Sequence, residues 1–109
     1  MNADKGVAMY GLIGKMTATA GQRDALAAIL LDGTGAMPGC LSYIIATDPA
    51  EADALWITEV WDNQESHKAS LKLPEVQAAI AKGRPLIAGF SNRVETVPLG
   101  GHGLVGGQP

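Results

Sequence analysis

The sequence predicts an α+β fold of the ferredoxin-like kind, an antiparallel four-stranded sheet in the order β-α-β-β-α-β with helices on one face. Three observations lead there. Four segments rich in apolar and β-branched residues, within 7–17, 40–47, 55–61 and 90–97, are bounded by turn-forming residues. The two stretches that follow the first and third of them carry apolar residues at helical spacing. The chain has 109 residues, which suits one domain and is enough to bury a core. Residues 1–99 are read as that domain, and 100–109 as a glycine-rich tail.

The first strand is read over 7–17 (VAMYGLIGKMT). A short connection follows, and 22–31 (QRDALAAILL) places Leu26, Ile29 and Leu30 on one helical face. Gly33, Gly35 and the Pro38-Gly39 pair end that helix in a loop. The second strand is read over 40–47 (CLSYIIAT), and Asp48-Pro49 opens a turn. The third, 55–61 (LWITEVW), has the strongest β composition. Asp62 or Asn63 can cap the next helix, because a short side-chain oxygen accepts from the free N–H groups of the first turn. Glu65, three residues after Asp62, fits a capping box. Pro74 interrupts the helix and then serves as the start of a further helical stretch, EVQAAIAKGR. The fourth strand is read over 90–97, and the tail from Gly100 is expected to be mobile unless a partner pins it.

The strands are apolar on both faces. Leu55, Ile57, Glu59 and Trp61 share one parity of the third strand, and Trp56, Thr58 and Val60 the other. The second strand sets Leu41, Tyr43 and Ile45 against Ser42, Ile44 and Ala46. Helices cover one face only, and a large apolar patch is rare on a soluble monomer. A homodimer packed sheet to sheet is the expected remedy.

Composition narrows the function. Apolar residues make up 47% of the chain and charged ones 17%, which leaves little charge to cover a surface. The net charge of −3, with no basic stripe, argues against a nucleic-acid partner. No apolar run nears the roughly 18 residues of a membrane span. The N-terminal stretch lacks a secretory pattern, and a single cysteine, Cys40, excludes an internal disulfide; a cytoplasmic location is expected. No dinucleotide or phosphate loop, CxxC pair or spaced ligand set occurs, so neither cofactor nor metal is expected. His67 and His102 alone fall short of a stable zinc site.

Several motifs now carry a likeness. Pro38, Gly39 and Leu41 open the second strand; Glu59 and Trp61 close the third; Leu73, Pro74 and Val76 follow the next helix. In this order and spacing the chain resembles the antibiotic biosynthesis monooxygenase (ABM) family over about residues 7–99. The resemblance implies a dimeric α/β barrel of ferredoxin-like protomers. It implies oxidation of phenols or quinols with O₂ without flavin, haem or metal in some members, and haem degradation in others. The chain departs from the family pattern at Ser70, where many members have histidine. It also has Ile57 where some quinone-forming members have asparagine, and His67 where they have an aromatic hydroxyl.

Six residues are candidates for a site. His67, on the helix after the third strand, is a residue type suited to taking a phenolic proton. Glu59 shares the parity of Trp61; facing an apolar pocket, its pKa would rise and it could act as the base. It could equally pair with Arg93 or Lys15 on a neighbouring strand. Trp61 is either a surface for stacking an aromatic substrate or a core residue. Tyr43 and Asn92 could point a hydroxyl and an amide into the pocket, and Arg84 could hold an anionic oxygen. Cys40 reads as a small strand residue and not a nucleophile. The expected function is a cofactor-independent monooxygenase of a quinol or polyphenol. The alternatives are a non-catalytic dimer that binds small aromatics or protects against redox stress, and a haem-degrading monooxygenase.

Overall fold

The structure is a computed structural model and describes residues 8–104. Its elements are β1 (Tyr10–Ala18), α1 (Arg23–Gly33), β2 (Cys40–Thr47), β3 (Ala54–Trp61), α2 (Gln64–Ser70), α3 (Pro74–Gly83), a 3-10 turn at Arg84–Leu86 and β4 (Ile87–Thr96). One four-stranded sheet has the order β2-β3-β1-β4, and every neighbouring pair is antiparallel. This is the expected α+β ferredoxin-like arrangement. No helix among the described residues is long and apolar enough to cross a membrane.

The differences from the sequence reading are local. β4 begins at Ile87 and not at Phe90, because Ile87 and Gly89 pair with Ala18 and Thr17 and lengthen the ladder. The expected start of β1 at Val7 lies outside the described residues. Of the two possible caps before α2, Asn63 takes the role and accepts from the Ser66 N–H at 2.9 Å. Asp62 instead leaves Oδ1 buried without a hydrogen-bond partner. Gly39 precedes β2 with φ +83°, and a Cβ there would lie 2.6 Å from Ser66 Cβ. Only glycine accepts both that backbone and that contact.

The core forms where α1 lies on the sheet. Leu26 and Leu30 of α1 pack with Ala18, Leu55 and Ile57, flanked by Met16, Tyr43 and Ile45. α1 also runs close to α3: a Cβ on Gly33 would collide with the Ala79 side chain. The strand registers then sort the residues into rows. On the helix side, Tyr43, Glu59, Leu12 and Glu95 lie side by side across all four strands. On the other side, Ile44, Thr58, Ile13 and Val94 do the same. Ile44 is 55% exposed and Val94 51%, so this second face presents an apolar row to its surroundings.

Candidate active site

The helix-side row at Tyr43 and Glu59 is the floor of the site. β3 delivers Glu59 and Trp61 to one face because alternate residues share a side. The turn at Asp62 and the cap at Asn63 then start α2 at once, which brings His67 back over the strand end. Trp61 Nε1 donates to Glu59 Oε1 at 3.0 Å, and His67 Nε2 stands 3.8 Å from the same oxygen. The His67 ring lies edge-on to Trp61 at 5.5 Å and tilted against Tyr10 at 5.3 Å. Tyr10, which pairs with Trp61 across the ladder, donates its hydroxyl to Glu95 Oε2 at 2.6 Å. The Arg93 guanidinium approaches that carboxylate at 3.8 Å.

A cavity of about 430 Å³ opens beside this cluster. Leu12, Met16, Ile57 and Phe90 supply its apolar wall, and Glu59, Tyr43 and Arg93 its functional groups. Burial pushes the Glu59 carboxyl above its ordinary value; the Trp61 N–H and the charges of His67 and Arg93 pull partly against that. Burial also raises the Tyr43 phenol, helped by the nearby charge of Glu59. Tyr43 therefore stays protonated and offers a hydroxyl donor. A desolvated carboxyl with a raised pKa, beside a neutral phenol in an apolar wall, suits proton transfer to or from a bound aromatic hydroxyl.

The structure brings four of the six candidates together: Glu59, Trp61 and His67 touch, and Tyr43 neighbours Glu59 across the β2–β3 ladder. Trp61 is 1% exposed and stands behind Glu59, outside the lining of this cavity. Asn92 is exposed and absent from that lining. It occupies a bulge in β4 with φ +54°, a backbone that asparagine tolerates. The bulge inserts one residue and shifts the strand's parity, so Arg93 faces the cavity where simple alternation from Phe90 assigns Asn92. Arg84 is exposed and borders an adjoining cavity away from Glu59.

The pairing of Glu59 with Lys15 does not form. Lys15 lies on the opposite face, where it meets Glu51 and Asp48 and sits 5.7 Å from the Trp56 ring. Arg93 turns to Glu95. Tyr10 and Glu95 are the residues that sequence reasoning passed over; their only signal is a register that links β1 with β3 and β4. Cys40 is half-buried, its thiol raised by burial and donating to the Ser42 carbonyl at 3.5 Å. Among the described residues, no group of three or more His, Cys, Asp or Glu side chains is placed to hold a metal ion.

Comparison with known proteins places the fold in a family. The chain matches the family model described as antibiotic biosynthesis monooxygenase over residues 9–82. It is 69% identical to a Chloroflexus aurantiacus J-10-fl protein of known structure, assigned provisionally to the antibiotic biosynthesis monooxygenases. That match has a TM-score of 0.87 and covers 89% of this chain and 99% of the other. A Caulobacter crescentus CB15 protein with the same provisional assignment is 19% identical, with a TM-score of 0.71 and coverage of 88% and 94%. One from Nitrosomonas europaea is 12% identical, with a TM-score of 0.77 and coverage of 85% and 92%. At such identities these two show the shared fold alone. Among curated proteins none matches the chain. With the family model spanning most of the chain, and a 69% identical structure spanning nearly all of it, the chain belongs to the antibiotic biosynthesis monooxygenase family.

Proposed function

We propose that this protein is a monooxygenase that oxidises a quinol or polyphenol with O₂, works as a homodimer, and uses Glu59 as its base. The carrying observation is the placement of Glu59: a desolvated carboxylate with a raised pKa in the wall of an apolar cavity. A phenol near pKa 10 and an ordinary carboxylate are about six orders of magnitude apart in acidity, and raising Glu59 narrows that gap. Once deprotonated, the electron-rich ring is itself the reductant. One oxygen atom enters the ring, the other leaves as water with two protons, and the quinol emerges as a hydroxyquinone, oxidised by four electrons. No further redox group is required by this balance. His67 and Trp61 hold the Glu59 oxygen in place from behind, Tyr43 donates to a substrate oxygen, and Arg93 at the rim attracts a phenolate.

The dimer follows from the second sheet face. Among the described residues, α1 packs on the other face, with Leu55 and Ile57, and a second copy would remove the row Ile44, Thr58, Ile13 and Val94 from water.

Oxygen uptake with a quinol panel tests the activity. Glu59→Gln should lower turnover by about 10²- to 10⁴-fold, the usual share of a general base. Wild-type activity should rise with pH through the raised Glu59 pKa, because the ionised form accepts the proton. A Glu59→Gln protein with wild-type turnover and pH profile would remove Glu59 from the reaction. Tight binding of quinols without oxygen uptake by the wild type would leave a binding protein instead.

A further inference from the structure

A second cavity, of about 560 Å³, adjoins the one at Glu59. Met16, Tyr43 and Phe90 line both, so the two are lobes of one cleft between the sheet and the helices. The second lobe has a different character. Its walls are mainly aliphatic, with Leu30, Val76 and Ala79 at the inner side, Leu71 and Ile80 at the rim, and the exposed Arg84 as the one charged side chain beside them. Thr34, one of its few polar residues, already spends its hydroxyl on the Leu30 carbonyl at 2.6 Å. Leu71 is 47% exposed, Ile80 37% and Phe90 72%. The described side chains thus leave an apolar lobe unfilled directly beside a polar site. Each lobe alone falls in the range of about 300–1,000 Å³ that holds a drug-sized ligand. A single quinol ring needs only the lobe at Glu59.

We propose that the second lobe binds a hydrocarbon substituent of the same substrate, making the substrate class an amphiphilic quinol or phenol with several apolar carbons attached to its ring. The hydroxylated ring lies at Glu59 and Tyr43, and the substituent passes Phe90 to lie against α3. This rests on the reading of Glu59 given above. The occupant is argued from continuity: the apolar lobe shares three side chains with the polar one, whereas the surface suited to a second copy is on the opposite face of the sheet.

The test is an anaerobic calorimetric titration of the whole protein with hydroquinone and its methyl, propyl and hexyl derivatives. Affinity should tighten with chain length, by up to about fourfold per buried methylene. Ile80→Trp and Leu71→Trp add bulk at rim positions where the side chains already reach solvent, and thermal melts confirm that both variants fold. Both should keep wild-type affinity for hydroquinone and lose most of the chain-length gain. No gain with chain length in the wild type, or a full gain in both variants, overturns the proposal. So does a change of oligomeric state in both variants by light scattering, which would assign the lobe to a second copy. The two readings fail separately. Oxygen uptake insensitive to Glu59→Gln, with the chain-length gain intact, removes the base and leaves the lobe. Glu59-dependent uptake of hydroquinone with no chain-length gain does the reverse.

Discussion

Replacing Trp61 by Phe keeps an aromatic ring under His67 and deletes one donor, the indole N–H that Glu59 Oε1 accepts at 3.0 Å. With Glu59 ionised this bond is charge-assisted and is worth about 1.5–3 kcal/mol; with Glu59 protonated it is an ordinary bond of about 0.5–1.5 kcal/mol. Trp61 is 1% exposed, so the smaller ring also gives up burial, roughly 1 kcal/mol at any pH. The variant should therefore lose about 1.5–2.5 kcal/mol where Glu59 is protonated and about 2.5–4 kcal/mol where it is ionised. For a domain of this size each kcal/mol moves Tm by about 4–8 °C. The sign follows from the wild type. Glu59's pKa is raised on folding, so its contribution to stability is fully present below the ordinary carboxylate range and is lost as pH rises through the folded value. The Trp61 N–H opposes that rise, so deleting it raises the carboxyl further. The deficit should then grow with pH through the Glu59 titration, and the acid limb of any oxidase activity should move to higher pH. Thermal melts across pH at one fixed protein concentration measure the first effect, since assembly makes Tm concentration-dependent. A Tm deficit constant with pH, together with an unmoved acid limb, would refute the coupling of Trp61 to Glu59.

Three further substitutions probe other joints of the fold. Val60→Asp places a charge on the sheet face opposite α1, next to the row Ile44, Thr58, Ile13 and Val94; it should dissociate the proposed dimer or unfold the protein, because an unpaired charge would be buried. Light scattering checks this, and an intact dimer speaks against that face as the interface. Gly39→Ala sets a Cβ 2.6 Å from Ser66 Cβ and 2.8 Å from Asp62 Oδ1 at φ +83°. It should cost at least the 1–3 kcal/mol of a strained backbone, read as a lower Tm, and an unchanged Tm would contradict it. Asn63→Ala removes the acceptor for the Ser66 N–H and should cost about 1 kcal/mol in chemical denaturation. The same variant should also loosen His67, so a parallel fall in turnover is expected.

The local features of this site are readable from the sequence because they follow from backbone periodicity. Alternation along β3 puts Glu59 and Trp61 on one face, and a short turn into a capped helix returns His67 over them. The same alternation gives Tyr43 one face of β2 and leaves a second apolar face to the sheet, while the β2–β3 register sets Tyr43 beside Glu59. Where a local rule breaks, the sequence is mute. The bulge at Asn92 exchanges that residue for Arg93 at the cavity, because one extra residue reverses every side chain's direction. Lys15 and Glu59 both carry charge on neighbouring strands, yet the β1–β3 register pairs Glu59 with Leu12 and turns Lys15 to the other face. Arg84 looked like part of the same pocket, and helix packing assigns it to the second lobe. The sequence determined the elements, their faces and the trio around Glu59, since these need only the strand and helix repeats. Only the tertiary structure decided which charges meet and where space is left between α3 and the sheet, since register and helix packing are set by contacts between residues far apart in the chain.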